Sequence, residues 1–344
     1  MKVGIVFGGQ SFEHEISIVS AMAMKEVIKG NLSYIFVDAH RQMYLIPQEK
    51  MKSSLFSSGA YKKLPLLTPG HGGFFQKTLF GQQRIECDVV LNLVHGGDGE
   101  DGKLASLFEF FGIPFIGPRK EACVMSFNKY LTKLYAQGAG VKTLPYELLT
   151  KGASRTIHTS YPVIVKPARL GSSIGVSVVK DANELDYALD VAFEFDDLVL
   201  IEPFVAGVKE YNQAGCKAGE YIFSIIEEPQ KNEFLDFEKK YMDFSRTQRA
   251  GEASLDDELK SAIRKAFRCL YDNYFEGSII RCDFFVVDGE VYLNEINPIP
   301  GSMANYLFAD FHDTLTKLAH HLPKPMAIKV DYAYIHSIQH AKGK

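Results

Sequence analysis

The sequence predicts an α/β protein with an N-terminal open parallel sheet and helices, followed by two α+β units. Three observations carry this expectation. Short apolar runs alternate with helix-like runs through residues 1–120, as strands and helices do in an open parallel sheet. Residues 161–179 hold two β-rich runs joined by Gly171-Ser172-Ser173, and residues 279–302 hold two more joined by Asp288-Gly289. The 344-residue chain is too long for one ordinary core. The expected units are residues 1–120, 121–205 and 206–344.

Composition narrows the class. A 46% hydrophobic and 23% charged content describes a soluble globular protein. A net charge of -4 with a pI near 6.2 lacks the basic footprint of a nucleic-acid binder. Cys87, Cys123, Cys216, Cys269 and Cys282 are odd in number and widely spaced, which suits buried thiols in a reducing cytosol better than a disulfide framework or zinc site. No run approaches the roughly 18 apolar residues of a membrane span. The expectation is a cytoplasmic protein without nucleic-acid or membrane partners.

In the first unit, the apolar run before Gly8-Gly9 reads as a buried parallel strand, and residues 16–28 as the following helix. Such junctions hold ligands at the carboxyl ends of strands, and a helix N-terminus favours anions. Glu13 beside this loop can receive a cationic substrate group, whereas Glu15 is explained by the helix dipole. Residues 32–37 read as a second strand. Residues 38–85 are weakly patterned, with the serines at 53, 54, 57 and 58 and the stretch 68–73 reading as loops. Strand 88–94 runs into the glycine-rich stretch 95–102, where His95 can bond a carboxylate and Glu100 orient it. A helix at 103–111 and a strand at 113–116 follow.

Residues 119–137 read as one helix, closed by Gly138 and Gly140 and carrying Lys129. The two β-rich runs around Gly171-Ser172-Ser173 make a hairpin whose amides and hydroxyls can wrap phosphate oxygens, with Lys166 aimed at the same space. After a helix at 182–195 capped by Asp181, residues 197–204 read as a strand that breaks at Pro203. Glu202 on its edge can accept a bond from an amino group, and the open edge can offer backbone groups to an adenine ring. Glu210 is expected on a Gly207-containing turn. Residues 237–254 lack apolar periodicity and read as a long exposed, functional loop. Helices are expected at 256–271 and 311–320.

In the hairpin 279–302, Asp283, Glu295 and Asn297 are hard oxygen donors suited to Mg²⁺. Side chains alternate faces along a strand, so loop length decides whether these donors meet. A two-residue turn at Asp288-Gly289 would set Asp283 opposite Asn294. A three-residue loop would put Arg281, Asp283, Glu295 and Asn297 on one face, and this loop is the expectation.

The set V-K-P-x-x-x-G-S-S-x-G-V at 165–176, E-P-F at 202–204, R-x-D at 281–283 and N-E-I-N-P at 294–298 resembles the ATP-grasp superfamily. With GGQSFEHEIS at 8–17 and HGGDGEDG at 95–102, the chain is similar to the D-alanine:D-alanine ligase family. The resemblance implies that the second and third units form an ATP-grasp fold. It also implies a reaction in which one D-alanine carboxylate takes the γ-phosphate of ATP and the amine of a second D-alanine then attacks the acyl phosphate. By resemblance Asp283, Glu295 and Asn297 hold two Mg²⁺, with Mn²⁺ able to substitute. Lys129, Lys166, Ser173 and Lys240 hold phosphates, Glu202 and Phe204 take adenine, and Glu210 takes ribose. Glu13 binds the first ammonium with Ser172 and Tyr241 as partners, and His95 and Glu100 lie near that carboxylate. Arg281 and the Gly301 amide stabilise the oxyanion, with Tyr306 and Leu307 at the second substrate. The resemblance further implies a homodimer and a 237–254 loop that is mobile without ligand and closes over ATP. Two other readings stay open: a D-alanine:D-lactate depsipeptide ligase, and a nucleotide-binding regulatory module without turnover.

Overall fold

The strand Val3–Gly8 (β1) is apolar throughout because both of its faces are covered. In the computed structural model, which describes residues 1–229 and 247–342, Ile5 and Phe7 enter one apolar cluster and Val6 another. The strand Val89–Asn92 (β7) divides in the same way, Val89 and Leu91 to one side and Val90 to the other. This period of two explains the unbroken apolar runs. With Leu32–Val37 (β2) and Phe115–Ile116 (β8), these strands form the parallel half of an eight-stranded sheet, in the order β2-β1-β7-β8.

The weakly patterned stretch 38–85 is not loop. It extends the sheet as an antiparallel meander of Met43–Ile46 (β3), Leu66–Gly70 (β4), Gly73–Thr78 (β5) and Gly81–Arg84 (β6). The sheet is therefore mixed, and the serine-rich stretch holds a short helix, Ser53–Ser57. The outermost strand β6 is wholly exposed, so these residues carry no core alternation by which sequence could reveal them.

The second sheet, in the order β10-β13-β11-β12, is antiparallel and built from Glu147–Thr150 (β10), Val163–Pro167 (β11), Ser177–Val179 (β12) and Leu198–Pro203 (β13). Helix Ala182–Phe193 buries Leu185 and Leu189 against Val163, Val165 and Ile201 of this sheet. Pro203 is accommodated inside β13, opposite Val163, and β13 lies between two neighbours. The strand ends at Pro203 as expected, and its pairing with β10 stops at Ile201, so Glu202 and Pro203 are paired on the β11 side.

The third sheet runs β15-β14-β16-β17-β9, from Glu220–Glu227 (β15), Lys209–Ala218 (β14), Ile280–Val287 (β16), Glu290–Asn297 (β17) and Lys142–Thr143 (β9). Glu210 lies in β14 opposite Phe285 rather than on a turn. One apolar cluster joins Ile5 and Phe7 of β1, Ala21 and Met24 of helix His14–Val27, Phe284 and Leu293 of the third sheet, and Leu307. That continuity sets the first and third sheets against each other around the site.

Two local expectations are corrected. The helix expected at 119–137 is two helices, Lys120–Phe127 and Lys129–Gly138. Asn128 sits between them in an extended conformation, and its side chain accepts from the amides of Tyr130 and Leu131. Asparagine favours such a cap because its oxygen satisfies helix amides that otherwise lack partners.

The β16–β17 connection is a two-residue turn, with Val287 opposite Glu290. Asp288 and Gly289 both have positive φ, 50° and 78°, as a turn matched to strand twist requires. Arg281 nevertheless faces Asn297 and Asp283 faces Glu295, because the register shifts between Asp283 and Phe284: Phe284 pairs with Leu293, leaving Asn294 as an extra residue. A bulge, not the loop, supplies the missing residue.

Among the described residues a Cβ at Gly289 would meet nothing within 4 Å, so Gly289→Ala tests backbone strain. It is expected to lower the urea unfolding free energy by about 1–2 kcal/mol. An unchanged midpoint and slope would remove the left-handed turn.

Candidate active site

The bulged hairpin places four polar groups on one face. Arg281 grips Asp283 with two parallel bonds, Nε to Oδ1 at 2.7 Å and Nη2 to Oδ2 at 2.8 Å. Asn297 Nδ2 donates to Asp283 Oδ2 at 2.9 Å, and Arg281 Nη1 lies 3.4 Å from the Tyr306 hydroxyl. Burial alone would lower the Arg281 pKa, but Asp283 and Tyr306 hold it well above its ordinary value. Burial pushes the Asp283 carboxyl up, opposed by Arg281 and reinforced by Glu295.

Facing this hairpin across a cleft are Glu100, Lys129 and Gly171, which line it together with Glu295 and Asn297. Lys129 opens its helix directly after the Asn128 cap. Its amide donates to Ala168 O at 2.8 Å and its ammonium to Leu170 O at 2.5 Å, which ties the helix to the Gly-Ser loop. Burial lowers the Lys129 pKa despite the acids around it. The base of the loop is fixed by Asp196, which accepts from the Arg169 amide at 2.7 Å and from its Nε at 3.0 Å. Ser172 and Ser173 both sit at positive φ.

Glu13 reaches the same loop from the first sheet. Its Oε1 accepts from Ser172 Oγ at 2.6 Å, while its Oε2 is buried and has no hydrogen-bond partner among the described residues. Burial raises its pKa, and Glu100 adds to the effect. A Cβ at Gly96 or Gly171 would come within 3 Å of this carboxylate, at 2.6 and 2.9 Å. Gly96 also sits at a φ of +68°, which strains any side chain, whereas a side chain at Gly171 would displace the Glu13 carboxylate.

His95 is buried, with Nε2 3.0 Å from Ser20 Oγ and Nδ1 3.7 Å from Glu100. Burial pushes its pKa down to about 4 and pushes that of Glu100 up to about 8. At pH 7 the His95–Glu100 contact is therefore one between neutral groups. Ser20 also accepts from the Ser302 amide at 3.2 Å, so one hydroxyl joins the His95 loop to the segment Gly301–Leu307. There Ser302, Met303 and Ala304 are consecutive left-handed residues, and Tyr306 and Leu307 are buried behind them.

The adenine expectation needs revision at its side chain. Glu202 lies buried between Lys133 and Lys166, its Oε1 paired with one ammonium and its Oε2 with the other. The Phe204 amide donates to Pro162 O at 2.9 Å. The Glu202 carboxylate and the Phe204 amide are thus both already engaged within the protein. Lys240, Tyr241 and most of the 237–254 loop lie outside the described residues. Sequence reasoning missed Lys133 and Ser20. Lys133 had a signal, since it follows Lys129 by one helical turn and shares its face; Ser20 had none beyond its place on the inner side of a helix.

The chain matches the family model for the D-ala D-ala ligase N-terminus over residues 2–118 and that for the D-ala D-ala ligase C-terminus over residues 136–314. It belongs to the D-alanine–D-alanine ligase family. It is 62% identical over 345 residues to the D-alanine–D-alanine ligase of Wolinella succinogenes and 61% identical to that of Sulfurovum sp., covering 100% of both chains in each case. The crystal structure of the ligase from Helicobacter pylori is 52% identical with a TM-score of 0.84, over 95% of this chain and 100% of that one. VanG D-Ala:D-Ser ligase from Enterococcus faecalis is 26% identical with a TM-score of 0.75, over 92% and 99%.

Membership of the D-alanine–D-alanine ligase family implies ATP and a divalent metal. Among the described residues no three His, Cys, Asp or Glu side chains are grouped as metal ligands. The shared face instead offers two acids and an amide. These hard oxygens fit Mg²⁺, and a cation between Asp283 and Glu295 would relieve the repulsion that helps push the Asp283 carboxyl up.

Because its folded pKa lies below the ordinary 6.5, His95 contributes stability that is present above pH 6.5 and lost as pH falls toward 4. An NMR titration of the imidazole is expected to inflect near pH 4, and His95→Gln to flatten the fall in Tm across that window. An inflection near 6.5 would contradict the buried neutral imidazole.

Proposed function

We propose that this ligase joins two D-alanines into D-alanyl-D-alanine, with ATP activating the first carboxylate as an acyl phosphate, to supply peptidoglycan precursors. The observation that carries the reading is the shared face of Arg281, Asp283, Glu295 and Asn297, in a chain similar over its full length to D-alanine–D-alanine ligases. Nucleotide binding alone has no use for the arginine, whereas a tetrahedral oxyanion does.

In this reading Glu13 takes the first substrate's ammonium at its unpartnered Oε2, with Ser172 and Tyr241 beside it. His95 and Glu100 border that carboxylate. Lys129, Lys166, Ser173 and Lys240 hold phosphate oxygens, and the segment 202–204 with Glu210 borders the nucleoside. Asp283, Glu295 and Asn297 would hold two Mg²⁺, replaceable by Mn²⁺, which neutralise phosphate charge when bound. Arg281 and the Gly301 amide stabilise the oxyanion, and Tyr306 and Leu307 flank the second D-alanine. Little covalent work falls to the protein; positioning and charge carry the catalysis. The reading includes the units 1–120, 121–205 and 206–344, a homodimer and a cytoplasmic setting. No helix among the described residues is long and apolar enough to cross a membrane.

Phosphate release from ATP is expected only when D-alanine is added, with the dipeptide seen by mass spectrometry. Release without D-alanine dependence would defeat the reading, and faster turnover with D-lactate would move it to a depsipeptide ligase. Arg281→Met is expected to lower kcat about a hundredfold or more with little change in ATP affinity. A collapse of ATP affinity at constant kcat would make Arg281 a nucleotide ligand instead.

A further inference from the structure

The carboxylate of Glu202 stands between two ammonium groups that arrive from different elements. Lys133 comes from the helix Lys129–Gly138 and Lys166 from β11, and each takes its own carboxylate oxygen. The side chains are 2%, 9% and 3% exposed for Lys133, Lys166 and Glu202. Two cations and one anion leave this enclosed cluster with one positive charge to spare. Burying an uncompensated charge is costly, so the cluster is matched to an anionic ligand.

The two lysines are not equivalent. Lys133 is sealed, with its ammonium 5.6 Å from the Tyr146 ring. Lys166 is the penultimate residue of the strand that leads into the Gly171-Ser172-Ser173 loop. We propose that Lys133 is a positioning residue for ATP: by holding Glu202 from the buried side, it lets Lys166 leave that carboxylate for a phosphate oxygen. Without Lys133, moving Lys166 onto phosphate would strand Glu202 as a buried, unpaired anion, and the lone Lys166–Glu202 pair would be neutral toward ATP. At Glu202 the flanking lysines outweigh burial and hold the pKa below its usual range, whereas at Lys133 burial outweighs the pull of Glu202 and lowers the pKa. The inference rests on the ATP-dependent reading and deepens it at a residue that itself touches no substrate.

The test is calorimetric binding of MgATP to the full chain in four forms: wild type, K133M, E202Q and K133M/E202Q. K133M is expected to weaken ATP about tenfold or more, whereas the same change in the E202Q background weakens it no more than about twofold, a coupling that core packing would not produce. K133R is expected to stay within about threefold of wild type. Equal weakening in both backgrounds, or no weakening in either, overturns the inference. If K133M does not fold, a K133M/E202Q double variant that folds and binds ATP as E202Q does supports it, and a double variant that is also unfolded overturns it. A wild type that binds no MgATP would instead defeat the functional reading itself.

Discussion

Side chains alternate faces along a strand, and the β16–β17 hairpin has to break that rule once for its polar groups to share a face. The tight Asp288-Gly289 turn alone would put Glu295 out of phase with Asp283. The extra residue at Asn294 restores phase within the strand and does so beside the acids. The other walls of the cleft converge on this face. Lys129 comes from a helix restarted by the Asn128 cap, Glu100 from a glycine loop at the end of the parallel sheet, and Gly171 from a loop anchored by Arg169 and Asp196.

The second constraint is charge. Glu13, Lys133, Lys166, Glu202 and Asp283 are all buried, where single charges are not tolerated. The molecule resolves this by pairing: Arg281 with Asp283 along one strand, and Glu202 across elements with a helix lysine and a strand lysine. Where pairing is incomplete, at Glu13 Oε2, the shortfall points toward a ligand. The same enclosure pushes the His95 pKa down and the Glu100 pKa up, so both lean toward their neutral forms.

The elements whose residues face a core on both sides were readable from sequence, as with β1 and β7, and so were helices with a polar cap, such as Asp256 ahead of Asp257–Tyr271. The antiparallel meander at 43–84 was not, because its outer strands bury too little for alternation to appear. The break at Asn128 was hidden by apolar residues that continue in phase on both sides. The hairpin shows a subtler limit. Face-sharing among Arg281, Asp283, Glu295 and Asn297 followed from the chemistry, but parity says only that one residue must be added and not where. The pairing of Glu202 was missed because its partner Lys133 lies far away in sequence and is joined to it only by the packing of helix on strand.

Placing the extra residue at Asn294 rather than at the turn separates two jobs. The tip at Asp288-Gly289 only reverses the chain, with no atom near the Gly289 Cβ direction, while the strand beside the acids keeps the frame. A residue added at the tip leaves Asp283 opposite Glu295 only if the loop absorbs it and Val287 stays opposite Glu290, whereas a one-residue change between 290 and 295 moves the frame directly. The shared face of Arg281, Asp283, Glu295 and Asn297 therefore depends on the exact length of the strand that carries the bulge more than on the side chains at the tip.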